Sequence, residues 1–172
     1  MFFKRICLSF IFTACFAPSF GQQGDFCDAV TTIMRDAPNK FRNIKGKVTE
    51  SNYAATMWAS GINVPGSIGS RFVSSAGLFY EAAFLQTTNK SELKPVYDKY
   101  RNLLDSCLAA QGFKMVLSNN FYTGLDDYKK IAFMPQLKDD TPVGALPSHV
   151  TMEVTYNKDV GKYTVVMYIF EH

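Results

Sequence analysis

Apolar side chains recur along this chain with two different periods. Cys27, Val30, Met34, Ala37 and Phe41 follow one another at three- and four-residue steps, with Phe26 and Ile33 beside them. That spacing predicts an amphipathic helix starting near Asp25. Asp25 is placed to cap it, and Asp28 adds negative charge to its first turn. Pro38 breaks it after Asp36, and Pro38 to Asn43 form a further turn. Lys45-Gly46-Lys47 closes the unit. A second stripe, Leu93, Val96, Tyr97, Tyr100, Leu103, Leu104, Cys107 and Leu108, predicts a helix from Ser91 to a stop at Gly112.

Elsewhere the period falls to two. Ala55 to Ser60 and Ser67 to Ser74 flank a loop with Pro65-Gly66 at its turn, and Leu78 to Gln86 follows. After the second helix come Phe113 to Ser118 and Tyr128 to Met134. Val150, Met152, Val154 and Tyr156 alternate with polar residues, Asn157 to Gly161 form a turn, and Tyr163 to Phe170 runs apolar on both faces, as a central strand does. The order αβββαββββ predicts an α+β fold, an antiparallel sheet of about six to seven strands with two helices packed on one face. In outline it resembles the element order of secretion chaperones and TATA-binding-protein-like folds, a likeness that carries no function.

The first residues change the picture of where this domain works. Lys4 and Arg5 precede an uncharged run from Ile6 to Ala14, and Ser19-Phe20-Gly21 offers small residues at a cleavage position. This is the pattern of a secretory signal peptide over residues 1–21, leaving residues 22–172 as a single α+β domain. Phe12-Thr13-Ala14-Cys15 resembles a bacterial lipobox, which makes Cys15 a candidate lipid anchor. No later segment has the length or apolarity of a transmembrane helix. The expected location is the periplasm or the extracellular space, with a membrane-anchored lipoprotein as the variant.

Charge then excludes one class of partner. Two of the 18 basic residues lie in the signal, so the mature chain is near neutral against its 15 acids. Without a basic run it carries no footprint for nucleic acid. Cys27 and Cys107 remain after processing, and in an oxidising compartment they predict a disulfide. Both fall on the apolar faces of their helices, which predicts a bridge pinning an antiparallel helix pair.

No phosphate-binding loop, dinucleotide fingerprint, paired metal-ligand spacing or nucleophile elbow occurs, so neither a cofactor nor a metal is expected. Asp126-Asp127 and Asp139-Asp140 read as solvated turn acids. The chain therefore reads as an exported, non-catalytic binding or accessory protein, whose partner is another protein or a small apolar ligand. Two rival readings stand beside it: an inhibitor or immunity-type protein against an extracytoplasmic enzyme, and a small hydrolase using acidic residues or His149, with Glu81 and Glu153 as candidate partners for the histidine. Aromatic residues, 15% of the chain, supply a binding surface if one sheet face is left uncovered. The candidate binding residues are Trp58, Gly61, Pro65, Gly66 and Arg71. The loop from Gly61 to Gly69 is rich in glycine, and Trp and Arg are enriched at binding hot spots.

Mass spectrometry of the exported protein is expected to find a chain beginning at Gln22, or a lipidated Cys15. An intact Met1 on protein recovered outside the cytoplasm contradicts the signal-peptide reading.

Overall fold

The computed structural model describes residues 20–118, 125, 128–136 and 148–171. Residues 1–19 of the leader, with Cys15, the aromatic pair Phe121-Tyr122 and both aspartate doublets lie outside the described residues. The chain runs α1 (Phe20–Asp36), β1 (Lys45–Ser51), β2 (Thr56–Ser60), β3 (Gly69–Ser74), β4 (Leu78–Thr87), α2 (Leu93–Ala109), β5 (Phe113–Ser118), β6 (Lys130–Pro135), β7 (Val150–Asn157) and β8 (Lys162–Phe170). All eight strands join one antiparallel sheet in the order β1-β2-β3-β4-β8-β7-β6-β5. Each half is thus a helix followed by a four-stranded meander, and the last strands of the two meanders pair at the centre. No helix among the described residues is long and apolar enough to cross a membrane.

The α+β class and the helix-covered sheet follow the sequence pattern, but the described residues form eight strands rather than six to seven. The additional strand is β1, and the order is αββββαββββ. Its sequence, Lys-Gly-Lys-Val-Thr-Glu-Ser, has no apolar alternation, because at the sheet edge no residue of β1 is buried. Its lysines and its register shifts against β2 are devices that keep an edge strand from pairing further. Asp25 lies inside α1 rather than at its cap.

Alternation decides which face is covered. On β4, Leu78, Tyr80, Ala82 and Phe84 are buried while the residues between them are half-buried. Across the sheet Tyr80 pairs with Ile169, Met167 with Met152, and Val165 with Val154, all buried on the same face. The helices lie over that face. Val30 and Ile33 of α1 and Leu93, Leu104 and Leu108 of α2 are fully buried against it. Phe84 stacks on Tyr100 with ring centroids 3.8 Å apart, and Phe26 stands 5.9 Å from the same tyrosine. Tyr97 donates its hydroxyl to the Lys129 carbonyl, tying α2 to the start of β6, and burial raises its pKa to about 12.

Cys27 and Cys107 form the expected disulfide, their Cα atoms 5.4 Å apart. The helix pair it joins is not antiparallel. Contacts ascend together along both helices: Phe26 meets Tyr100, Cys27 meets Cys107, and Thr31 accepts from Gln111 beyond the end of α2 at 3.0 Å. Residues 37–44 then reverse the chain in compact turns folded against the end of α1 before β1 begins. The Asp36 carboxylate accepts from the Asn43 backbone N–H at 3.0 Å and from both the Asn39 and Asn43 amides. Lys40 and Phe41 take left-handed backbone at φ 57° and 55°. Strain of this kind costs about 1–3 kcal/mol a residue. Full burial of the Phe41 ring, 5.0 Å from Phe72, offsets it.

Replacing both Cys27 and Cys107 by serine is expected to lower unfolding free energy by roughly 2–5 kcal/mol in urea denaturation, since the bridge closes a separation of 80 residues. An unchanged midpoint, or free thiols at both positions in oxidised protein, contradicts the bridge.

Candidate functional site

The face of the sheet away from the helices carries a groove of about 490 Å³. Strand register builds it. Gly69 of β3, Ala83 of β4 and Val166 of β8 stand side by side in one cross-strand row, and their small side chains make a low floor. The next row, Arg71, Glu81 and Tyr168, forms one wall. Gln86, Thr164 and Thr155 form the other, with Asn157 and Ile68 at its ends. A Cβ built on Gly69 meets nothing within 4 Å, so this glycine keeps the floor open rather than relieving a backbone constraint.

A β-bulge sets the second wall. Register slips by one residue between Ala83 and Leu85, so Phe84 and Leu85 both pack toward the core, and Gln86 pairs with Thr164 on the groove side. Unbroken alternation puts Gln86 under the helices.

Charge in the groove is self-neutralised. Arg71 Nη2 lies 2.7 Å from Glu81 Oε1 and its Nε donates to the same oxygen at 2.9 Å. Arg71 Nη1 also reaches Met57 Sδ at 3.4 Å, which fixes the guanidinium against the strand. On β7, directly opposite Val166 of the floor row, Glu153 pairs with Lys130 at 3.8 Å. Burial pushes the Glu153 carboxyl above its ordinary range, and Lys130 offsets only part of this. Below the Arg71 row lies an aromatic patch. Phe79 meets Tyr168 edge-on at 5.5 Å, and His149 stacks on Phe170 at 4.6 Å.

The five binding residues read from the sequence divide between the two faces. Arg71 lines the groove, joined by Ile68 and Gly69 from the end of the predicted loop. Trp58 pairs with Phe72 and so faces the helix side, half-buried, with the Lys45 ammonium 4.6 Å from its ring centre. Gly61 donates its N–H to the Ile44 carbonyl at 2.8 Å. Pro65 and Gly66 border a crevice of about 50 Å³ against α2, where the Tyr100 hydroxyl donates to the Gly66 carbonyl at 3.2 Å. Any side chain on Gly66 collides with that hydroxyl, and its φ of 81° favours glycine. This part of the loop is docked on the helix. Of the loose aromatics, Tyr80 and Phe84 are core, Tyr53 is fully exposed, and Phe79 lies on the open face.

His149, Glu81 and Glu153 share the open face without converging. His149 and Glu153 are four residues apart on one strand, about 13 Å at strand rise, and Glu81 is two strands from His149. Direct base–acid contact needs about 3 Å. Among the described residues no three His, Cys, Asp or Glu side chains gather as metal ligands do. Comparison of the chain with protein-family models, with curated proteins and with solved structures gives no match.

The raised Glu153 carboxyl has a pH signature. The folded state holds its proton more tightly than the unfolded chain, so the cost of Glu153 is absent below the ordinary glutamate pKa of about 4.3 and grows as pH rises through the folded value. Glu153→Gln is therefore expected to raise the melting temperature at pH 7 and to leave it unchanged near pH 4. A lower melting temperature at pH 7 means that attraction to Lys130 outweighs the burial of the carboxylate, and contradicts this.

Proposed function

We propose that this is an exported, non-catalytic binding or accessory protein that takes its partner on the open face of the sheet. The observation that carries the reading is the groove over Gly69, Ala83 and Val166: a concave surface with a low floor, two polar walls and a fixed ion pair. Its volume falls in the range of small-molecule sites, roughly 300–1,000 Å³. The Cys27–Cys107 bridge supports an oxidising compartment, which agrees with the signal-like leader. The spacing of His149, Glu81 and Glu153 favours binding over hydrolysis.

Two variants test this. Gly69→Val fills the floor at a strand position with extended backbone and open space, so its melting temperature is expected to stay within a few degrees of the parent. Arg71→Ala removes a solvent-exposed ion pair worth at most about 1 kcal/mol. Immobilised parent protein, exposed to the extracytoplasmic fraction of its own cells, is expected to retain a component that both variants lose. Equal retention by parent and Gly69→Val, or catalytic turnover that Glu81→Gln abolishes, overturns the reading.

A further inference from the structure

From the chemistry of its walls, we infer that the open-face groove takes a neutral, hydroxyl-rich ligand, a linear oligosaccharide. The inference rests on the binding reading above and names what that site accepts. Three observations carry it, each excluding another class of occupant.

Main-chain recognition is closed to the ligand. The groove crosses β3, β4, β8 and β7, all of them interior strands. Their backbone N–H and C=O groups are committed to the ladders on both sides, so no free row is left against which an extended peptide can add a strand. Whatever lies here is read by side chains.

Those side chains are neutral in sum. Among the described residues, the charged side chains lining the groove are Arg71 and Glu81, paired with each other at 2.7 Å, and the Lys162 ammonium, outside the lining, donates to Gln86 Oε1 at 3.5 Å. An anionic or cationic ligand must break that pair and leave one member uncompensated, whereas a neutral ligand leaves it intact. The remaining polar groups are the amides of Gln86 and Asn157 and the hydroxyls of Ser70, Thr155, Thr164 and Tyr168, with Ser70 bonded to Ser67 at 3.1 Å. Hydroxyls and primary amides both donate and accept, which suits partners that do the same, as sugar hydroxyls do.

The apolar part has the shape for a sugar rather than a lipid chain. Ala83 offers a half-buried apolar floor beside the buried Val166, in a groove open to water rather than an enclosed tunnel. At its edge Tyr168 is held by ring contacts to Phe79 and Phe170, at 5.5 and 6.1 Å. A restrained aromatic ring is a platform for the C–H face of a pyranose, whose weakly positive hydrogens meet the negative ring face. Thr155 and Thr164 pair directly across β7 and β8 on the opposite wall, which places hydroxyl groups along the other side of a sugar lying on that floor.

The test is an amide-shift NMR titration of the disulfide-intact exported protein with three sets of probes. These are neutral tetrasaccharides (β-1,4-glucan, α-1,4-glucan and β-1,4-N-acetylglucosamine), a sulfated tetrasaccharide, and an uncharged serine- and alanine-rich hexapeptide. At least one neutral tetrasaccharide is expected to move the Gly69, Ala83 and Val166 amides together. Replacing both Thr155 and Thr164 by valine, close to isosteric and strand-compatible, is expected to weaken that binding at least tenfold while the rest of the spectrum is kept. If the sulfated sugar or the hexapeptide moves these amides and no neutral sugar does, the groove stands as a binding site and the saccharide assignment falls. If no probe moves them, the saccharide assignment falls as well. Neutral-sugar binding that survives the double valine variant unchanged also overturns it.

Discussion

The pairing of β4 with β8 is the contact on which the rest of this molecule depends. It runs from Phe79 opposite Phe170 to Thr87 opposite Tyr163 and fuses two four-stranded meanders into one sheet. Each meander alone presents an apolar face too narrow to cover. Joined, they set Tyr80 and Ala82 beside Met167 and Ile169, and these in turn beside Met152 and Val150, as the continuous floor of the core. The same pairing aligns Gly69, Ala83 and Val166 on the reverse side. Core and groove are the two faces of one register, and a one-residue slip exchanges them. The bulge at Phe84 is such a slip, used locally, and it supplies Gln86 to the groove.

Among the described residues, two helices lie over one face of eight strands and no element lies over the other. Its central rows alternate ion pairs, threonines and small residues with aromatic rings that pack on one another. The two edges are handled differently. β1 is polar and bulged, whereas β5 exposes Met115, Val116 and Leu117. The disulfide near the end of α2 complements the sheet by fixing α1, which is also held by its apolar stripe and by the Gln111–Thr31 hydrogen bond.

Much of this was legible in the sequence because burial writes periodicity. The stripes of Val30–Ile33 and Tyr100–Leu104, and the alternation of Val150, Met152 and Val154, located both helices and seven strands, with β5 at its observed ends. β1 was illegible because nothing in it is buried. The direction of α1 was illegible because it depends on the reversal at residues 37–44, which Asp36 and a left-handed Phe41 impose. Of the groove lining, Arg71 and the end of the Gly61–Gly69 loop were legible as binding positions, and Glu81 only as an acid. Trp58 and Pro65-Gly66 carried the residue types of a binding loop, yet the Tyr100 hydroxyl docks that loop on α2. Tyr168 and Thr164 lie in a strand apolar on both faces, where no sequence period separates groove from core. Ala83 and Gln86 acquire their places only through cross-strand register and the bulge.

The central claim, that the working surface is the sheet face opposite the helices, is tested most directly by site-specific photo-crosslinking in the native compartment. A benzophenone side chain is placed at Gln86, on the groove wall, and in a second protein at Lys99, on the exposed side of α2. The account predicts an adduct from Gln86 and none from Lys99. An adduct from Lys99, with none from Gln86, contradicts it.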